Sequence, residues 1–183
     1  MKPRAFDPLH LDVTAFAAQA GELEGQWPLE ILPRLYKVRP PEAADLPLEP
    51  VDWQAEGEMR QCHGGESQVW LHLAASTCVA LQCQRCLHPV RVNVSFERSF
   101  RFVRNEAEAE AQDLDSEEEV LAATRSLDLL TLVEDELILE LPLVPRHEEC
   151  PQPLPLTAGS EEGAEEEANP FAQLEVLKRR PPH

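Results

Sequence analysis

Two cysteines spaced three positions apart are the residues of this sequence best suited to chemistry. Cys83 and Cys86 lie in a short stretch that reads as a turn between two strand-like runs. This spacing lets both sulfur atoms face one point, as a metal ion or a disulfide requires. Far downstream, His147 and Cys150 form a second pair with the same spacing. The chain between the pairs must therefore fold back if the two are to meet.

Together the two pairs supply three thiolates and one imidazole, a ligand set used in structural zinc sites. A bound Zn²⁺ is therefore one hypothesis, and two small semi-buried thiols that stabilise a turn are the plainer alternative. A redox pair is the third reading, but a thioredoxin-type site needs its first cysteine at a helix N-terminus. Cys62, His63 or His88 could replace a missing ligand.

Alternating apolar residues on both sides of the cysteine turn predict an antiparallel hairpin of two long strands. The first run covers residues 69–81, as one strand or as two joined near Ser76, and the second covers residues 90–102. His72 and Cys78 fall on the opposite parity, as a strand-face residue and a small core residue. Arg98 falls on the apolar parity, which predicts a bulge or a sheet edge there.

Shorter elements are predicted around this hairpin. Asp12 or Thr14 caps a helix through Ala20, residues 29–32 form a short piece stopped by Pro33, and residues 51–59 alternate like a strand. Residues 105–119 read as a loop or frayed helix. Asp128 caps a helix from Leu129, in which residues 134–136 form a solvated acidic arc, although residues 136–141 also alternate like a strand. The predicted class is α+β, mainly an antiparallel sheet with a few short helices.

Composition divides the chain into three parts. Residues 1–150 are expected to form a single domain, and residues 151–168 a disordered, proline-rich and acidic linker that includes the acidic run 161–167. Residues 169–183 open with Asn-Pro, a helix start, and continue as a short amphipathic helix with a basic end. That helix is either a docking motif or a flap that closes on the domain.

Charge is distributed unevenly along the chain. The formal net charge is −18, and residues 105–168 hold 20 acidic and 2 basic residues, so the rest is neutral. Within one window of twenty residues that contains a single acid lie five arginines: Arg85, Arg91, Arg98, Arg101 and Arg104. These arginines are the candidate RNA contacts, with ordinary strand solubility as the alternative. The acidic half could instead hold a very basic protein.

Several classes of protein are disfavoured by the sequence. The charged N-terminus has no apolar segment after it, and no apolar run reaches the ~20 residues that span a bilayer, so we expect a cytoplasmic protein with no membrane partner. The sequence has no phosphate-binding glycine loop, no Gly-x-Ser-x-Gly and no His-Glu-x-x-His motif. We therefore expect no enzyme activity.

Three strings, in this order, resemble the YceD family: CQRCL at residues 83–87, LLTLVEDELILELP at residues 129–142, and VPRH at residues 144–147 with Cys150. The ending NPFA at residues 169–172 with LKR at residues 177–179 is similar to the same family. The family is described as large ribosomal RNA subunit accumulation proteins. The resemblance implies a role in the synthesis, processing or stability of 23S ribosomal RNA, and it supplies no active site.

The expected function is thus a non-catalytic ribosome-biogenesis factor, with 23S rRNA or its precursor as the partner. The expected mechanism is a scaffold that presents a basic strand to RNA, while its acidic half shields or recruits a basic ribosomal protein. One alternative is an acidic chaperone for a basic large-subunit protein without RNA contact. A less favoured alternative is an RNA-processing or redox enzyme. The scaffold mechanism assumes that the carboxylates lie apart from the arginines.

Overall fold

The computed structural model describes residues 6–61, 67–113, 116 and 118–151. Five strands form one sheet: β1 (Glu22–Trp27), β2 (Val51–Arg60), β3 (Gln68–Gln82), β4 (Pro89–Val103) and β5 (Glu119–Ala122). Four α-helices accompany it: α1 (Val13–Ala18), α2 (Pro33–Lys37), α3 (Glu106–Asp113) and α4 (Leu129–Leu139). Short 3₁₀ turns occupy Leu29–Ile31 and Pro41–Ala43. The predicted α+β class is confirmed.

The strands lie side by side in chain order, from β1 at one edge to β5 at the other. All neighbours are antiparallel except β4 and β5, which pair parallel. The predicted hairpin is confirmed: β3 is one continuous strand, and its register with β4 runs unbroken from Val69 opposite Phe102 to Gln82 opposite Pro89. The cysteine turn is therefore the closed end of the longest ribbon in the described chain.

One face of the sheet carries the core. The apolar parities predicted for β3 and β4 share this face, where Leu71, Leu73 and Phe100 are buried. Helices α1 and α4 pack against it. At Gly57 of β2 a Cβ atom would lie 2.7 Å from a ring carbon of Phe16, so only glycine lets α1 come this close. We call this the helix-covered face and its opposite the open face.

Of the two alternatives predicted at Arg98, the sheet edge is confirmed, because β5 pairs with β4 only from Phe100 to Val103, and the bulge is wrong. The β3–β4 register passes through Arg98 opposite Leu73 without interruption. Arginine is accommodated on the helix-covered face because α4 brings acids to it: Arg98 Nε lies 2.7 Å from Glu136 Oε2, and Arg98 Nη2 donates to Glu140 at 2.9 Å. The angle at Glu136 does not suit a hydrogen bond, so that contact is an ion pair only. Burial raises the pKa of Glu136, and Arg98 opposes this rise.

The helix predicted from Leu129 is confirmed, with Asp128 as its N-cap, but the solvated acidic arc is wrong. Glu134 and Glu136 are buried, at 5% and 3% exposure. Glu134 accepts hydrogen bonds from the backbone N–H groups of Arg34 and Leu35, at 2.7 and 3.1 Å. It thereby satisfies free donors of the first turn of α2, which begins at Pro33, just after the predicted short piece has ended as a 3₁₀ turn at Ile31.

Several elements lie outside the predictions. β1 and β5 were not predicted, and α1 ends at Ala18, two residues earlier than expected. Most of the acidic stretch after β4 is the helix α3, whose Ala109 packs on Val103 and Val120 at the open face. A first compact unit extends from Met1 to Pro151. The predicted linker 151–168 beyond Pro151 and the predicted helix 169–183 lie outside the described residues.

No helix within the described ranges has the length and the apolar composition that crossing a lipid bilayer requires. The longest of them, α4, has 11 residues.

Replacing Glu134 with alanine is expected to lower the free energy of unfolding by about 2–3 kcal/mol, because two helix-start N–H groups and a guanidinium lose a buried acceptor. Glu134→Gln keeps one acceptor oxygen and should cost less. Asp135→Ala is the control: it also removes a carboxylate that contacts Arg34, but both side chains are about half exposed, so we expect little change. Urea unfolding measures all three, and equal losses for Glu134→Ala and Asp135→Ala would refute the capping role.

Candidate metal centre

The turn between β3 and β4 is held by its own backbone. The N–H of Cys83 donates to the carbonyl of His88 at 3.0 Å, and the N–H of Leu87 donates to the carbonyl of Cys83 at 2.9 Å. Leu87 takes a left-handed conformation with φ of 63°, uncommon for a residue with a side chain, and it is exposed. This tight turn places the buried thiols of Cys83 and Cys86 on the same side.

The segment after α4 returns to the same turn. The N–H of Gln84 donates to the carbonyl of Pro145 at 2.9 Å. The Arg85 side chain donates to the carbonyls of His147 and Glu148 at 3.3 and 3.2 Å. Residues 145–150 are thus bound to the hairpin end by the main chain of Gln84 and the side chain of Arg85.

This return brings the four predicted ligands together. The ligand atoms of Cys83, Cys86, His147 and Cys150 all lie within 4.8 Å of one another. In two of the pairs, the sulfur atoms of Cys83 and Cys150 lie 3.9 Å apart, and Cys86 Sγ lies 3.4 Å from His147 Nδ1. No other such group occurs among the residues that the structure describes. The four side chains could therefore hold one metal ion.

The orientation of His147 suits a ligand. Its Nε2 lies 3.1 Å from the carbonyl oxygen of Pro89, an atom that can only accept a hydrogen bond. The proton must therefore sit on Nε2, which leaves the lone pair of Nδ1 directed at the thiol cluster. Histidine ligands in metal sites are commonly fixed in this way by a backbone carbonyl. The contact was not foreseen from the sequence, because it joins residues far apart in the chain.

Electrostatics at the cluster favour a cation. Burial raises the pKa of Cys83, but hydrogen bonds from the N–H groups of residues 147, 85 and 86 outweigh it and lower that pKa to about 5. Burial raises the pKa of Cys86, and its contacts with Cys150 and Cys83 add to the rise. Neighbouring thiolates repel one another, so thiols this close together do not readily all lose their protons. A bound divalent cation offsets that repulsion and stabilises the thiolates.

Arg85 is part of this cluster. Its Nε donates to Cys150 Sγ at 3.0 Å, and the contact raises the pKa of the guanidinium. An arginine at this point offsets negative charge on the sulfur atoms. The position of Arg85 between the two cysteines of the turn is a sequence signal for this role. The sequence alone, however, predicts Arg85 only as a contact for RNA.

The other candidate ligands are placed elsewhere. His88 Nδ1 bonds the carbonyl of Cys86 at 2.9 Å, whereas Cys62 and His63 lie outside the described residues. His72 lies on the open face between Glu58 Oε2 and Ser99 Oγ, at 2.9 and 2.8 Å. Cys78 is half-buried on β3 opposite Asn93 and does not belong to the cluster. The described cysteines carry no disulfide.

The five arginines do not form one surface. Arg91 and Arg101 share the open face, Arg98 lies on the helix-covered face, and Arg85 belongs to the cluster. Arg91 pairs with Glu49, and Arg101 donates to Gln112 and Ser116 at 2.6 and 2.9 Å. Arg104 follows β4, and its N–H lies 3.4 Å from Glu108.

The assumption that carboxylates lie apart from these arginines is therefore wrong, because Glu49, Glu136 and Glu140 pair with Arg91 and Arg98. RNA contact by the five arginines stays a prediction.

The fold and the site define a small α+β protein whose longest hairpin ends in a cluster of three cysteines and one histidine. The sequence matches the family described as "Large ribosomal RNA subunit accumulation protein YceD" over residues 71–178. The chain belongs to the YceD family.

A curated relative, the large ribosomal RNA subunit accumulation protein YceD of Haemophilus influenzae, is 38% identical over 109 residues. The match covers 56% of this chain and 61% of the relative, so it spans less than two thirds of that protein's length. No solved structure matches the chain.

We expect the metal-free chain to bind one equivalent of Co²⁺ with the absorption bands of tetrahedral thiolate coordination. Cys150→Ala should weaken binding by more than about tenfold, since loss of an outer-shell partner alone costs a metal site that much. Cys78→Ala is the matched control, because it removes a thiol of β3 outside the cluster. Equal affinities of the two variants would show that the cluster does not bind the ion.

Proposed function

We propose that the chain is a ribosome-biogenesis factor that supports the accumulation of 23S ribosomal RNA. One observation carries this proposal: the family match over residues 71–178 contains both the β3–β4 hairpin and the cysteine–histidine cluster. The relative from Haemophilus influenzae bears the same description. The partner is then 23S rRNA, its precursor, or a protein that joins it.

The resident ion that we propose for the cluster is Zn²⁺. Three thiolates and an imidazole are donors that select zinc among the common divalent ions, and tetrahedral zinc sites hold sulfur at about 2.3 Å from the metal. Ligand atoms around such an ion lie about 3.5–4 Å apart. Two pairs in the cluster, at 3.9 and 3.4 Å, are already near that range.

The proposed role of the ion is structural. Four protein ligands fill a tetrahedral site, whereas catalytic zinc keeps one position open for water or substrate. Zinc would fix residues 145–150 to the hairpin end and so join the two ends of a long stretch of chain. This supports a non-catalytic binding scaffold over an RNA-processing or redox enzyme.

The second candidate function is the acidic chaperone for a basic large-subunit protein. The specific observation in its favour is that arginines of β4 pair with carboxylates of the same chain. Arg91 and Arg98 are paired with carboxylates, so Arg101 is the one arginine of β4 without an ion pair among the described residues. A protein partner is then the more direct link to the ribosomal subunit.

Protein purified without chelator is expected to contain one zinc per chain by elemental analysis. Removing the ion should speed amide hydrogen exchange in residues 83–88 and 145–150, because these segments lose their shared anchor. Exchange in the middle of β2, far from the cluster in sequence, serves as the internal control. Chain without zinc, or exchange that chelation leaves unchanged, would contradict the structural role.

In cells that lack their own copy of this gene, the ratio of 23S to 16S rRNA is expected to fall, and the wild-type chain should restore it. The Cys83→Ala/Cys86→Ala variant should fail to restore the ratio, whereas Cys78→Ala should succeed. Quantifying both rRNA species checks this. A normal ratio in the cells without the gene would overturn the proposed function.

A further inference from the structure

The open face of the sheet is left uncovered by helices over most of strands β1 to β4. Helices α1 and α4 pack on the opposite face, and α3 reaches the open face only beside β4 and β5. A concavity of about 760 Å³ lies over strands β1 to β4. Its open-face lining is Glu24, Gln26, Asp52, Gln54, Ala74, Ser76, Ser95 and Glu97.

Strand register explains the shape of this concavity. One row across the four strands reads Gln26, Asp52, Ser76 and Ser95, and the next reads Glu24, Gln54, Ala74 and Glu97. The short side chains fall in the middle of the sheet, on β3 and the adjoining part of β4. The longer side chains of β1 and β2 stand on one side, and Glu97 stands on the other. The result is a trough with a floor of small residues and carboxylates on both sides.

The charge of the face is negative and uncompensated. Five exposed carboxylates lie on it, and within the described part of the chain they form no ion pair: Glu22, Glu24, Asp52, Glu56 and Glu97. Glu22 and Glu56 are direct cross-strand neighbours, an arrangement that destabilises a sheet. Repulsion of this kind is relieved when a cation binds nearby.

The cations on the same face are already engaged. Arg60 pairs with Glu58 and stacks on Trp70, with its guanidinium carbon 4.1 Å from the ring centroid. Arg91 pairs with Glu49, and Arg101 bonds residues of α3 and its following loop. The acids of the trough therefore have to find their counter-charge outside the described chain.

We propose that the trough on the open face binds a lysine- and arginine-rich extended segment of a partner protein. Nucleic acid is repelled by these carboxylates, whereas an extended basic chain meets acids on both sides and small residues beneath it. The proposal rests on the proposed function, in that it names the chemistry of the partner that links the chain to the large subunit. RNA is the alternative occupant that the experiment tests.

The experiment uses the full chain and a labelled twelve-residue peptide of alternating arginine and serine. The open-face variant is Glu24→Gln/Asp52→Asn/Glu97→Gln. The control variant is Glu106→Gln/Glu110→Gln/Glu118→Gln, which removes the same charge from exposed acids in and after α3. Circular dichroism and the melting temperature establish that both variants remain folded.

The wild-type chain and the control variant are expected to bind the peptide equally, and the open-face variant about tenfold more weakly, the sum of three exposed ion pairs. Binding should weaken with added salt. In the wild-type chain, backbone NMR shifts caused by the peptide should concentrate at residues 52–54, 74–76 and 95–97.

Equal weakening in both variants, greater weakening in the control variant, or shifts outside the trough would overturn the proposal. So would a single-stranded RNA oligonucleotide that binds the wild-type chain and is lost in the open-face variant. None of these readouts depends on cellular rRNA, so failure here leaves the 23S to 16S ratio as a separate test of the proposed function.

Discussion

The meeting of the β3–β4 turn with residues 145–150 is the contact on which the arrangement of this protein depends. It joins segments separated by the whole of β4, α3, β5 and α4. Closing so long a stretch of chain costs entropy, and a few hydrogen bonds between the two segments offset little of it. A metal ion bound by four side chains of the two segments would supply a far larger share. The position of α4 on the sheet is coupled to this closure, since α4 leads directly into residues 145–150.

Two buried acids of α4 impose a second constraint on the fold. Glu134 holds the first turn of α2, and Glu136 faces Arg98 of β4. Both acids are buried, so each needs its partner in place, and the partners belong to different parts of the chain. The helix is therefore fixed in rotation as well as in position. Apolar packing alone would tolerate a shift that these acids do not.

Local signals account for the parts of the fold that could be predicted. The parity of β3 and β4, the turn at Cys83 and the cap at Asp128 are properties of neighbouring residues, and they define the hairpin and α4. The same signals misplaced Glu134 and Glu136, because a charged residue reads as solvated until its distant partner is known. β1 was missed since it is short and contains Gly25, whose place opposite Trp53 only the sheet reveals.

The cluster of three cysteines and one histidine was predicted from residue type and spacing, and the reason is chemical. Thiols and imidazoles are rare enough that two pairs with matching spacing form a specific signal, even across a long stretch of sequence. Carboxylates and guanidinium groups are common, so their spacing carries much less information. The assumption that carboxylates lie apart from the arginines failed on this point: Arg91 and Arg98 lie within reach of acids that come from other elements.

The balance of charge that results decides which partners the protein can attract. Arg91 and Arg98 are paired with carboxylates within the fold, while five carboxylates of the open face form no ion pair among the described residues. Under the two proposals, the link to ribosomal RNA then runs through a basic protein. A lysine- and arginine-rich segment of that protein would also bind rRNA phosphates, so the trough and the RNA would compete for the same cations. Under these proposals, a polyanion as dense as rRNA would win that competition, and binding at the trough would then be reversed when the basic segment joins the RNA.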